Sequence, residues 1–191
     1  MKPLNILFAG VGGQGILFTS KIFFEAALDR GMKVLGGETH GMSQRGGSVV
    51  AHFKMGESSS ALVVPGTADI LLALEPTEGL RNLGFVRPQG IYLVNAPDLA
   101  HMSLSVRKFL NRIGVRVHCF DADRRALEQK KPLTANLYLI GYLSGLEDVP
   151  FGPEELRAVI TKVTKKKAFL QDNLDAFEIG RQAAEEVGDG V

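Results

Sequence analysis

The sequence predicts a three-layer α/β domain with a mostly parallel sheet, an inserted antiparallel hairpin and a helical C-terminal third. Three observations carry this expectation. A short apolar run, "LNILFAG", ends in glycine and leads into a long helical pattern. Three further runs with apolar centres, "ADILLALEP", "GIYLVNAP" and "VRVHCFDA", are separated by stretches of helical periodicity, and after Asp121 no strand pattern recurs.

The elements follow in order. From Gln14 to Arg30 the apolar positions Ile16, Leu17, Ile22, Phe23, Ala26 and Ala27 have helical spacing, and Gly31 is placed to close the helix. "KVLGG" reads as a second strand. "SVVAHFKM" alternates Val49, Ala51, Phe53 and Met55 against Val50, His52 and Lys54, the pattern of a half-exposed strand. "GESSS" then turns the chain into "ALVV", which predicts a hairpin between these two runs. The three later apolar runs read as strands covered on both faces, with helices at Glu78–Leu83, Ser103–Ile113 and Arg124–Lys130. "TANLYLIGYLSGL", "GPEELRAVITKVTKK" and "AFLQDNLDAFEIGRQAAEEV" complete the chain as helices. No repeat or low-complexity linker divides it, so residues 1–191 are expected to form a single domain.

Composition narrows the function classes. Of 191 residues, 45% are hydrophobic and 23% charged, and Lys+Arg 22 against Asp+Glu 21 leaves a net charge of +1, too small a field to favour nucleic acid or a membrane surface. The single Cys119 cannot form an internal disulfide or supply the ligands of an iron–sulfur cluster or structural zinc, which fits a reducing cytoplasm. The apolar run near the N-terminus is too short for a signal peptide or a membrane span, so a soluble cytoplasmic protein is expected.

"GVGGQG" places Gly10, Gly12 and Gly15 in the spacing of a Rossmann-like turn, and the whole domain is accordingly expected to be Rossmann-like. Such a turn brings backbone N–H groups close to an anion, and it serves equally to pack a strand against a helix. A dinucleotide site also asks for an acidic residue about 20 residues on, for which Glu38 is the candidate. Glu38 is followed at once by "THGMSQRGGSVV", a second glycine segment that simple dinucleotide folds do not require. In it Arg45 offers a permanent charge, and Gly46-Gly47 can form an anion-binding concavity. A turn whose arginine pairs with a local carboxylate is the structural alternative.

Taken together, "GVGGQGILFTSKI", "GGETHGMSQRGGSVVAHFKMG" and "ADILLALEP" resemble the gamma-type subunit or domain of the 2-oxoacid:ferredoxin oxidoreductases. The "HGMSQRGGSV" stretch is most similar to the beta subunit of the indolepyruvate-oxidising members. Asn136 and Gly141 in "TANLYLIGYLSGL", and Asn173, Ala176, Phe177 and Gly180 in "DNLDAFEIG", extend the resemblance over nearly the whole chain.

The resemblance implies a subunit of an enzyme that converts a 2-oxoacid and coenzyme A to acyl-CoA and carbon dioxide while reducing ferredoxin. Thiamine diphosphate, Mg and iron–sulfur clusters are expected on partner subunits, with none bound by this chain alone, so the isolated chain is expected to be inactive. Residue by residue, Gly10, Gly12, Gly13, Gln14 and Gly15 match the first motif and Ser43, Gln44, Arg45, Gly46 and Gly47 the second, as a cofactor-binding or shared active-site edge. Arg45 and the neighbouring amides are the expected anion contacts, and Gln14 a polar contact.

His40, Asn136 and Asn173 are secondary candidates, each with a structural alternative in a loop hydrogen bond or a cap. His52 and His118 lack spaced partners for a metal, Cys119 reads as a small buried apolar residue, and the "TKKK" at Thr164–Lys167 admits either an acidic partner or a solvated helix end. The alternative to this whole reading is a stand-alone protein binding NAD, FAD or ATP.

Overall fold

The computed structural model describes residues 3–41 and 46–188. Six strands form one sheet in the order β2-β3-β1-β4-β5-β6, where β1 is Leu4–Val11, β2 Val34–His40, β3 Ser48–Met55, β4 Ala68–Ala73, β5 Val86–Asn95 and β6 Arg116–Phe120. β1, β4, β5 and β6 run parallel to one another, and β3 is antiparallel to both of its neighbours, β1 and β2.

Alternation along β1 sorts the core into two layers. Ile6 and Phe8 face a layer built from α1 (Ile16–Asp29), α4 (Ala122–Glu128), α5 (Ala135–Ser144), α6 (Pro153–Val163) and α7 (Leu170–Gly188). Leu7 and Ala9 face the opposite layer, with α2 (Pro76–Asn82) and α3 (Leu104–Arg112). The expected three-layer arrangement and helical C-terminal third are therefore present. α5 is buried along its length from Asn136 to Ser144, as a helix apolar all round must be, and it packs against α7.

The antiparallel element differs from the expected one. "SVVAHFKM" is paired on both edges, with β1 on one side and β2 on the other, so it has no free edge for "ALVV". That segment instead crosses the face of β3, where Val63 is buried and its N–H donates to His52 Nδ1 at 3.1 Å. The cover explains why β3 is buried on both faces and not half-exposed as its alternation suggested. The second strand extends through Glu38 to His40 and forms one sheet edge, mostly exposed. β6 forms the other edge and is only half-buried, because no strand lies beyond it.

Helix boundaries move by a few residues from those expected. α1 starts at Ile16, α2 starts at Pro76 behind the side-chain cap of Glu75, and α4 starts at Ala122 behind that of Asp121. α6 ends at Val163 with Thr164 as its C-cap, and Lys165 and Lys166 lie in the connection to the short 3-10 helix Lys167–Phe169 that precedes α7.

Candidate functional site

β1 reaches its C-terminal end at Val11, and the chain turns through Gly12–Gly15 into α1. From β1 the connections leave in opposite directions, to β2 and β3 on one side and to β4 on the other. The turn therefore lies where strand order reverses, at the C-terminal ends of the parallel strands, the usual place for a ligand crevice in an open α/β sheet.

Gln14 closes this turn upon itself. Its Oε1 accepts from the Val11 N–H at 2.9 Å, and its Nε2 donates to the Leu74 carbonyl at 3.2 Å. A side chain at position 10 would meet Gln14 Oε1 at 2.7 Å, so Gly10 is required by close approach. Gly15 is the N-cap of α1 at φ 81°, ψ 24°, a left-handed conformation, and a Cβ there would meet Asn136 Nδ2 at 2.9 Å. Gly13 and Gly46 also have positive φ, at 102° and 67°.

The two glycine segments, 34 residues apart in sequence from Gly12 to Gly46, meet in space. The Gly12 N–H donates to the Gly47 carbonyl at 2.9 Å, and the Gly41 N–H donates to the Ser48 carbonyl at 2.7 Å, closing the base of the segment between β2 and β3. Ser43, Gln44 and Arg45 lie outside the described residues.

Beside the turn opens a cleft of about 530 Å³. Gly13, Gln14 and Gly15 form one lip, Asn136 and Asn173 line it from α5 and α7, and Lys21, Lys165 and Lys166 bring positive charge. Apolar surface comes from Phe18, Leu133 and Phe169, of which Leu133 is 82% exposed. Asn136 is buried and its Nδ2 donates to Thr19 Oγ1 at 3.3 Å, while Asn173 donates to Thr164 Oγ1 at 3.2 Å. At the same end of the sheet, the buried Asn95 donates to the Leu74 carbonyl at 3.2 Å and accepts from the Ala122 N–H at 2.9 Å. Leu74 thus ties together the ends of β1, β4 and β5.

The remaining sequence candidates are more distant from this centre. His40 pairs with Val49, which pairs with Gly10, so it shares the row of the turn but lies two strands away; its Nε2 is 4.0 Å from Glu38 Oε2. Glu38 is on the edge strand with β3 between it and β1, whereas a ribose-binding acid belongs on the strand adjacent to β1. His52 is buried under the covering segment, and burial lowers its pKa. Burial, with Arg116 nearby, likewise lowers that of His118, whose ring packs edge-on against Tyr142 at 5.9 Å. Burial pushes the Cys119 thiol up to about 11, with Asp98 adding to the rise. Among the described residues no group of three or more His, Cys, Asp or Glu side chains is placed to hold a metal ion.

Several site residues carried no sequence signal. Phe18 and Lys21 follow the turn on α1 by one helical turn and two, and periodicity alone does not say which face of a helix meets a crevice. Ser48 and Glu78 come together from elements 30 residues apart.

The model of the family described as pyruvate ferredoxin/flavodoxin oxidoreductase matches residues 5–183. The chain belongs to this family. Among its relatives, the indolepyruvate oxidoreductase subunit IorB of Thermococcus kodakarensis is 38% identical, covering 98% of each chain. The fold is shared with the pyruvate oxidoreductase subunit PORC of Thermotoga maritima at a TM-score of 0.74 and 22% identity, over 95% of this chain and 97% of that one. It is shared also with the 2-oxoglutarate:ferredoxin oxidoreductase of Magnetococcus marinus, solved with 2-oxoglutarate, coenzyme A and succinyl-CoA bound, at a TM-score of 0.77 and 23% identity. That match covers 97% of this chain and 32% of the other. The glycine turn and both asparagines fall within the matched residues.

Proposed function

We propose that this chain is the non-cofactor-bearing subunit of an indolepyruvate-type 2-oxoacid:ferredoxin oxidoreductase. In this reading the glycine edge and the cleft form one wall of an active site completed by a partner subunit. The observation that carries it is the Gly12–Gly47 hydrogen bond, which joins both glycine motifs at the strand-order reversal of a chain related end to end to an indolepyruvate oxidoreductase subunit. A dinucleotide enzyme would need its ribose acid beside β1, and Glu38 is not there.

The donor set supports this division of cofactors. An iron–sulfur cluster takes four ligands, mostly thiolates, and the sequence has one cysteine, so the clusters are assigned to partner subunits. Thiamine diphosphate and its Mg are assigned there too. Bound on the partner, thiamine diphosphate supplies the carbon nucleophile and electron sink for decarboxylation, and the clusters carry two electrons to ferredoxin. The balance is 2-oxoacid anion, coenzyme A thiol and two oxidised one-electron ferredoxins to acyl-CoA, carbon dioxide, two reduced ferredoxins and one proton.

What this chain contributes is binding and orientation. Lys21, Lys165 and Lys166 suit the phosphates of coenzyme A, and the glycine amides add donors of fixed direction; Arg45, outside the described residues, remains the further anion contact that the second motif proposes. Asn136 and Asn173 suit an amide-bearing arm, and Phe18, Leu133 and Phe169 provide apolar surface that excludes water from it. Gln14, whose side chain is committed to Val11 and Leu74, contributes by holding the turn.

The test is reconstitution with the thiamine-binding subunit, assayed with ferredoxin and coenzyme A against indolepyruvate, pyruvate and 2-oxoglutarate. Coenzyme A-dependent ferredoxin reduction, highest with indolepyruvate, is the expected result. An assembled complex inactive on all three would sink the proposal.

A further inference from the structure

On the side of the sheet opposite the cleft, a carboxylate is buried directly behind the second glycine segment. Glu78 of α2 is 2% exposed, and its Oε2 accepts from Ser48 Oγ at 2.6 Å. Its other oxygen accepts from the Arg81 guanidinium, which is itself 65% exposed. A buried carboxylate is costly unless partnered, and charge-assisted hydrogen bonds of this kind are stronger than neutral ones.

Ser48 is the residue at which the segment carrying Arg45 rejoins the sheet. Its carbonyl accepts from the Gly41 N–H at 2.7 Å, closing the segment's two ends, and its backbone is in register with Val11 at the entrance to the first glycine turn. Gly47, one residue earlier, accepts the Gly12 N–H. The hydroxyl of Ser48 is thus a side-chain tether in this junction, and it is tied to an ion pair that α2 holds in place.

We infer that Glu78, braced by Arg81 and acting through Ser48, is a positioning residue that fixes Gly47 against the glycine turn, and so sets the affinity of the site for its anionic coenzyme. The inference rests on the proposed function for the coenzyme and on geometry alone for the link. Losing the tether frees Ser48 to shift, and with it the carbonyl that protects the Gly12 amide.

The test compares Ser48→Ala, Ser48→Thr and wild type in two ways. Hydrogen exchange of the Gly12 amide in the full chain should accelerate about tenfold in Ser48→Ala, the consequence of losing one charge-assisted hydrogen bond, while amides of β5 and α5 keep their rates. In the reconstituted complex the KM for coenzyme A should rise several-fold with little change in kcat. Ser48→Thr, which retains the hydroxyl, should restore both. Unchanged Gly12 exchange, parallel acceleration of the β5 and α5 amides, an unchanged KM, or failure of threonine to rescue would each overturn the inference. An inactive wild-type complex would remove the proposed function while leaving the exchange result to judge the link.

Discussion

Replacing Gly180 with alanine perturbs the contact on which the far wall of the cleft depends. A Cβ at position 180 would lie 2.0 Å from the Tyr138 carbonyl oxygen, and one at position 141 would lie 1.9 Å from that of Phe177, so α5 and α7 approach through this glycine pair. The obstacle is backbone on the facing helix, which has no rotamer to change. Reaching even 3.0 Å requires the helices to part by about an ångström. Overpacking of this kind costs up to about 3 kcal/mol, and alanine recovers about 1 kcal/mol through its better helix propensity. The net loss is about 2 kcal/mol, or roughly 4–8 °C in Tm for a domain of this size. Thermal denaturation followed by circular dichroism measures it. Because α5 carries Asn136 and α7 carries Asn173, the same substitution should weaken coenzyme A binding by the complex. A Tm equal to wild type or higher would refute the reasoning, since propensity would then outweigh the helix contact.

Gln14→Ala leaves the Val11 N–H without its acceptor and the Leu74 carbonyl with one donor fewer; a loss of about 1–3 kcal/mol in urea unfolding is expected, with lower activity after reconstitution. Arg45→Ala should lower activity of the complex more than it lowers the stability of this chain, read by assay after reconstitution and by thermal denaturation; full activity in an intact complex would take Arg45 out of the site. The acid side of the stability profile should slope. Because burial lowers the pKa of His52 and His118 below 6.5, the unfolded chain binds protons first as the pH falls, so their contribution is complete above pH 6.5 and declines below it. Urea midpoints at a series of pH values check this, and His52→Asn should flatten part of the decline.

Much of the fold was legible because strand and helix periodicities are local properties. "LNILFAG", "ADILLALEP" and "GIYLVNAP" each became a strand, and the helical spacing from Ile16 to Ala27 marked the face of α1 that is buried. "ALVV" misled because its apolar pattern records burial but not the partner that provides it: Val63 is buried by lying over His52, outside the ladder. The glycine turn, the second glycine segment and the two asparagines were likewise legible as motifs, whereas Lys21 and Phe18 had no mark that distinguished them from other helix residues.

By itself the sequence determined the layer architecture, the order of the elements and the family to which the motifs point, since composition, periodicity and turn residues act within a few positions of one another. Tertiary structure alone decided which edges of β3 are paired, that Gly12 and Gly47 share a hydrogen bond, that Gln14 is spent on backbone groups, and that Glu78 stands behind Ser48. Those are contacts between residues tens of positions apart, and they exist only once the sheet has fixed its strand order and brought the C-terminal ends of β1 and β4 and the N-terminal end of β3 to one place.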